Sequence, residues 1–235
     1  MKIGILQCDT LLEKLQPKFG SYTAMIQRML ATSFCDCTFE TIDCYKQEYP
    51  EDLAGYDLFV ISGSRASVYD RQPWILRLIN FVRRLDQEKK KLLGICFGHQ
   101  LIAVALGGEV EKAKQGWGLG VATNRVIASP AWMQQHVLEL RILVSHQDQV
   151  TKLVKGAQLI AESDFCPYFM ILWNKHFLSI QGHPEWERDY AEALLQERRG
   201  QFLPERLELG LSSLSLVPDN QLFIQWVHDF VNCQP

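Results

Sequence analysis

Apolar positions come in short dense runs through the first half of the chain, with helix-like periodicities between them. KIGILQ (2–7) is a compact β-type run, and CTFETIDCY (37–45) alternates well enough for a strand. YDLFVIS (56–62) and KLLGI (91–95) are mostly apolar, the pattern of strands buried on both faces. Between these runs TAMIQRML (23–30) has helical spacing. After Pro73, the residues Trp74, Leu78, Phe81, Val82 and Leu85 form one apolar stripe on a helix that the proline opens. HQLIAVAL (99–106) continues from KLLGI and stops at Gly107-Gly108. Strand and helix therefore alternate to about residue 107, which predicts a parallel sheet with right-handed crossovers and helices on both faces.

The texture then changes. VATNRVIA (121–128), VLELRILV (137–144) and AQLIAES (157–163) read as strands joined by short links. FMILW (169–173) and HFLSIQ (176–181) flank Asn174-Lys175 as a hairpin would. Helical spacing returns in EWERDYAEALLQERR (185–199). Turn signals follow at Pro204, Gly210 and Pro218, and LFIQWVHDFV (222–231) ends the pattern with Phe223, Trp226, Val227 and Phe230 on one face. The expected fold is α/β: a three-layer α/β/α sandwich of flavodoxin-like type, its central sheet mostly parallel with an antiparallel extension. Residues 1–200 are expected to form one domain, and 201–235 a C-terminal helical appendage packed on it.

Composition narrows the function classes. The chain has 235 residues, 47% of them hydrophobic, which suits one sizeable core better than two full domains. No apolar stretch approaches the ~20 residues of a membrane helix. MKIGILQCDT lacks the long apolar run of a signal peptide, so a cytoplasmic location is the expectation. The net charge of −3 speaks against a general nucleic-acid binder, and the short basic runs at 83–84, 89–91 and 198–199 suit solvated helix ends. Seven cysteines without a secretion signal read as reduced thiols. Cys35 and Cys37 have no second pair at zinc-ligand spacing, so neither a metal nor another cofactor is expected.

The candidate chemistry sits in GICFGHQ (94–100). Cys96 falls where a buried strand turns sharply into a helix, between Gly94 and Gly98, as in the cysteine counterpart of a nucleophile elbow. Its side chain would stand over the carboxyl end of the sheet, where open α/β sheets bind ligands. The helix dipole there favours a thiolate, and the Phe97 N–H is placed to donate to an oxyanion. Two readings stand at this point, a small buried thiol and a nucleophile. A nucleophile needs a base with an orienting group. Of six histidines, His183 in SIQGHPEWE (179–187) follows an apolar strand, and Pro184 biases it toward extended backbone. Glu185 then lies on the same side and is able to hold the ring's other nitrogen. A second oxyanion amide is available in ISGSRAS (61–67), where Gly63 permits close backbone approach.

GICFGHQ with a downstream GHPE resembles the class I glutamine amidotransferase family, the type with a Cys-His-Glu triad, over roughly residues 1–190. The resemblance implies Cys96 as nucleophile, His183 as base, Glu185 as its orienter, and Gly63 and Phe97 as oxyanion donors. It also implies substrate contacts from Gln100 and, in SHQD (145–148), from Ser145 and His146. GWGLG (116–120) matches the family between the elbow helix and the next strands. Two segments depart from the pattern. The oxyanion loop reads GSR where many members have Gly-Gly-Pro, and Gln147 stands where members often have glycine. The implied reaction is hydrolysis of the γ-amide of glutamine or a γ-glutamyl compound through a γ-glutamyl thioester on Cys96. Three activities fit: a glutaminase feeding ammonia to a synthase partner, a stand-alone γ-glutamyl peptide hydrolase similar to the γ-glutamyl peptidase branch, or a silent binding module on the same fold.

Overall fold

Successive side chains of a pleated strand point to opposite faces, so a run that is apolar throughout needs cover on both sides. In the computed structural model, which describes residues 1–233, that cover comes from helices in sequence alternation with the strands. The first half runs β1 (Lys2–Gln7), α1 (Gln16–Phe19), α2 (Tyr22–Ala31), β2 (Thr38–Asp43), β3 (Leu58–Ile61), α3 (Pro73–Gln87), β4 (Leu92–Ile95) and α4 (Phe97–Leu106). The second half runs β5 (Glu109–Lys112), β6 (Gly118–Val126), β7 (Glu139–His146), β8 (Asp148–Lys152), β9 (Ala157–Glu162), β10 (Met170–Trp173), β11 (Phe177–Ile180), α5 (Arg188–Glu197), α6 (Pro204–Ser213) and α7 (Asn220–Asn232).

The main sheet has the order β2-β1-β3-β4-β11-β10-β9-β6-β7. Strands β2, β1, β3, β4 and β11 are parallel to one another. Strands β10, β9, β6 and β7 extend the sheet antiparallel. The three-residue connection between β10 and β11 turns on Asn174 and Lys175, both at positive φ (47° and 69°), and the His176 N–H returns to the Trp173 carbonyl at 3.2 Å.

Alternation divides the core cleanly. Ile3, Ile5, Leu58, Val60, Leu93, Ile95, Leu178 and Ile180 pack on one face with Ile26, Met29 and Leu30 of α2 and Phe223, Trp226, Val227 and Phe230 of α7. Leu6, Phe59, Ile61, Leu92 and Phe177 face the other way, against α3 and α4. The α3 stripe expected from the sequence is buried at Trp74, Leu78, Phe81, Val82 and Leu85. A third cluster joins Leu11, Leu15 and Tyr22 to Trp186, Tyr190, Leu194 and Leu195 beside the carboxyl edge of the sheet. Among the described residues no helix is long and apolar enough to cross a membrane.

Three segments differ from expectation. Pro204 and Gly210 lie within α6 instead of marking turns: the proline is in the first helical turn, where its missing N–H costs nothing. Gly210 lets the helix lie directly on β6, since a Cβ there would meet Leu119 Cβ at 2.8 Å. The helix expected from 185 begins at Arg188, because the backbone first makes a turn in which the Trp186 N–H donates to the His183 carbonyl at 3.3 Å, and Glu187 is extended (φ −98°, ψ 157°). The strands β5 and β8 pair in a separate two-stranded sheet that their polar sequences EVEK and DQVTK do not announce.

Trp226 is fully buried and its indole N–H donates to the Gln135 carbonyl at 3.1 Å. Trp226→Ala is expected to lower the unfolding free energy by about 3–5 kcal/mol, the range for truncating a large core aromatic. Urea denaturation followed by fluorescence and far-UV circular dichroism checks this. A loss within experimental error of zero would mean that α7 is not part of the cooperative core.

Candidate active site

Parallel pairing of β4 with β11 sets Ile95 opposite Ile180, so both chains leave the sheet at the same edge. Immediately beyond, the Cys96 N–H donates to the Ile180 carbonyl at 2.9 Å. Cys96 then takes φ 50° and ψ −97°, a strained conformation for a residue with a side chain, and caps the N-terminus of α4. The flanking glycines make the turn possible. A Cβ at Gly94 would meet the Gly98 carbonyl at 2.7 Å, and one at Gly98 would meet the Ile61 carbonyl at 2.7 Å. The first amides of α4, that of Phe97 among them, have no acceptor within the helix.

After β11 the chain carries His183 into place by a backbone bond from its N–H to Leu143 O at 2.7 Å. His183 Nδ1 donates to Glu185 Oε1 at 2.7 Å. The ring stacks on Trp186 with centroids 3.6 Å apart and planes within 8°, which fixes its orientation. His183 is 3% and Glu185 6% exposed, so this pair is almost entirely removed from water. Burial alone would push His183 toward neutrality. The Glu185 carboxylate and the adjacent Cys96 sulfur outweigh it and raise the imidazolium pKa to about 10.

Gly63 also lies at this corner: a Cβ there would meet His183 Cε1 at 2.8 Å and Cys96 Cβ at 3.9 Å. Its loop is tied down by Arg65, whose backbone N–H and Nε donate to Asp9 Oδ2 at 2.9 and 2.8 Å while Nη2 reaches Oδ1 at 2.7 Å. Asp9 stands one residue beyond Cys8, where β1 has ended.

The remaining expected residues gather nearby with distinct surroundings. Gln100 has its amide nitrogen committed to Asp148 O at 2.7 Å and Gln181 Oε1 at 3.1 Å. Gln181 in turn donates to Cys96 Sγ at 3.5 Å. His146 donates through Nδ1 to Asp148 O at 3.1 Å, and burial lowers its pKa to about 4, so it is neutral near pH 7. Ser145 receives Arg198 Nη1 at 3.5 Å. Cys96, Gln100, Ser145, His146 and His183 all line one cavity of about 910 Å³. His99, next to Gln100, is instead a structural residue: it is fully buried, bonds Ser179 Oγ at 2.8 Å and is held neutral by burial, with a pKa near 3.

Sequence reasoning missed Gln181, Asp9, Trp186 and Arg198. The first two had a faint signal as polar residues just beyond buried strands, Gln181 one position after β11 and Asp9 two after β1. Trp186 and Arg198 sat in what reads as an ordinary amphipathic helix.

A thiol, an imidazole and a carboxylate thus stand in series at the carboxyl edge of a parallel α/β sheet, beside a strand-to-helix elbow. The family model for class I glutamine amidotransferases matches residues 17–197, and the chain belongs to that family. It is 42% identical over 149 residues to gamma-glutamyl peptidase 4 of Arabidopsis thaliana, covering 60% of this chain; the match spans 59% of that relative's length. It is 32% identical over 168 residues to a subunit of the glutamine-hydrolyzing GMP synthase of Archaeoglobus fulgidus, covering 71% of this chain and 85% of that one. A glutamine amidotransferase from Thermotoga maritima superposes with a TM-score of 0.77 at 18% identity, over 98% of this chain and 99% of that one.

Because the folded state raises His183 from 6.5 to about 10, its pairing stabilises the fold fully below pH 6.5. That contribution is lost as the pH climbs toward 10. Glu185→Gln removes the carboxylate charge that does most to favour the imidazolium, so His183 is expected to titrate at lower pH. Imidazole NMR resonances followed from pH 6 to 10.5 check this. An unchanged midpoint in the variant would refute the role given to Glu185.

Proposed function

We propose that the chain hydrolyses γ-glutamyl amide bonds as a stand-alone enzyme, with Cys96 as nucleophile. The observation that carries the reading is the Cys96–His183–Glu185 series opening into a cavity of about 910 Å³. That volume lies toward the upper end of the ~300–1,000 Å³ found for sites that hold drug-sized ligands. It leaves ample room for a γ-glutamyl group with a further residue on its nitrogen, where free glutamine would fill only a fraction.

In the proposed reaction the Cys96 thiolate attacks the γ-carbonyl carbon and forms a C–S bond. The oxyanion is received by the amides of Gly63 and Phe97. Collapse breaks the C–N bond as His183 Nε2 gives its proton to the leaving amine, producing a γ-glutamyl thioester. His183, now neutral, takes a proton from water, whose oxygen attacks the thioester. Glutamate leaves and the thiolate–imidazolium pair is restored. Glu185 keeps Nδ1 protonated throughout, so Nε2 is the nitrogen that faces the sulfur. Gln181 donates to the sulfur and is itself oriented by Gln100, which gives the pair a positioning role.

A glutaminase that passes ammonia to a synthase partner is the second reading, favoured by the similarity to the GMP synthase component. The chemistry at Cys96 is common to both, so the partner and the amine distinguish them. The purified protein is expected to release glutamate from γ-glutamyl dipeptides faster than from glutamine, with no added protein. Cys96→Ala should lower kcat/KM by roughly 10³-fold or more, as loss of a nucleophile does. Measurement of glutamate and ammonia across a panel of γ-glutamyl peptides and glutamine checks both. Turnover of glutamine alone, and only with an added synthase, would refute the stand-alone reading.

A further inference from the structure

Arg198 stands at the end of α5 with its guanidinium in the cavity. It is braced on aromatic faces, 4.7 Å above Trp117 and 5.5 Å from Phe202. Its hydrogen bonds go only to neutral oxygens among the described residues: Gln201 Oε1 from Nε and Nη2 at 3.2 and 3.1 Å, and Ser145 Oγ at 3.5 Å. Three of the five N–H donors are thereby used and two remain. Lys112 also lines the cavity without an acid partner among the described residues, but it is exposed, whereas Arg198 is half-buried; the remaining lysine and arginine of the lining are paired. Arg65 is matched by Asp9 at 2.7 Å and Lys14 by Glu197 at 3.2 Å. Burial lowers the Arg198 pKa, as expected of a guanidinium drawn out of water without a carboxylate beside it.

Position supplies the ligand. His183 is hydrogen-bonded to Leu143, and Ser145 lies two residues farther along β7, on the same side of the strand. Two residues advance a strand by about 7 Å. A γ-glutamyl chain spans a comparable length from its carbonyl carbon, at the sulfur, to its α-carboxylate.

We propose that Arg198 is a specificity-determining residue that receives the α-carboxylate of the γ-glutamyl group, with Ser145 and Gln201 holding the guanidinium in place. This inference rests on the reading of Cys96 as the γ-glutamyl nucleophile. It restricts the substrates to compounds whose glutamyl α-carboxylate is free, and it excludes glutamine residues within a polypeptide, where that carboxyl is consumed in a peptide bond.

Three substrates test it: γ-glutamylalanine, its analogue with the glutamyl α-carboxyl converted to an amide, and its analogue with the alanine carboxyl converted to an amide. Arg198→Gln is expected to lower kcat/KM by about tenfold to a hundredfold on the first and third, the range for a lost charged hydrogen bond. On the α-amide, already poor for the wild type, the variant should cause no further loss. Arg198→Lys, which keeps a point charge without the fork, should fall between. An equal penalty on all three substrates would overturn the proposal, as would no penalty. A penalty that disappears only on the alanine amide would assign Arg198 to the leaving group and also overturn it. Thermal melts of both variants identify any loss due to misfolding, in which case Arg198→Lys carries the comparison.

Calorimetry with γ-glutamylalanine on Cys96→Ala keeps the two readings separable. If the wild type hydrolyses none of the compounds, the proposed function fails, while binding that Arg198→Gln abolishes still supports the carboxylate site. Binding that is absent, or indifferent to Arg198→Gln, overturns the site.

Discussion

The parallel register of β4 on β11 is the constraint from which the site follows. It aligns Ile95 with Ile180, and the first bond beyond the sheet runs from Cys96 N–H to the Ile180 carbonyl. Two segments more than eighty positions apart in sequence are thereby released at one edge, pointing the same way. The strands are short and apolar because they are buried on both faces, so slipping the pairing by one residue would turn every side chain into the wrong core layer. Packing energy spread over the whole sheet thus fixes the relative position of a few reactive atoms.

What stands at that edge is costly without its neighbours. A carboxylate, an imidazolium and a sulfur almost wholly out of water would be expensive singly, and each is tolerable because the next is within bonding reach. The Trp186 ring covers one face of His183, and Gly63 lets backbone take the place that any side chain would contest. The strained backbone of Cys96 belongs to the same set of conditions. It is held by the β4–β11 pairing below and by the close contact of α4 with Ile61, which the absent Cβ of Gly98 permits.

The sequence made this much legible because periodicity and glycine placement are local signals with global consequences. The buried strands, the α3 stripe, the β10–β11 hairpin and the juxtaposition of Cys96, His183 and Glu185 could all be read from pattern. Other features depend on distances that pattern does not carry. Gly210 looks like a turn until α6 is seen lying on β6, and the polar β5 and β8 find one another only through the fold. Gln100 could be placed at the site, yet its commitment to Asp148 and Gln181 emerges only when strands remote in sequence meet. Arg198 carries no local sign at all, because it differs from any other helix-end arginine only in facing a cavity instead of solvent.

The loop at Gly63 shows how one geometric demand is met by different chemistry. A proline after Gly-Gly would stiffen such a loop by fixing φ and would offer no N–H. In GSR the arginine supplies what proline lacks: its backbone N–H and two side-chain N–H groups all converge on Asp9. Burial would raise the Asp9 pKa, but the Arg65 bonds and the Thr10 N–H outweigh it, so the carboxyl is held below its ordinary value of 3.8. The clamp is therefore complete above pH 3.8 and weakens as the pH falls through that lowered value. Half of the Arg65 side chain is exposed, so solvent screens the charge term, and the directional hydrogen bonds matter more than the net attraction. Stiffness imposed by a covalent ring acts on the loop alone, whereas stiffness imposed by Asp9 also binds the loop to the end of β1. The segment from Thr10 to Lys14, which lines the cavity, is thereby coupled to the same anchor as the backbone beside Cys96.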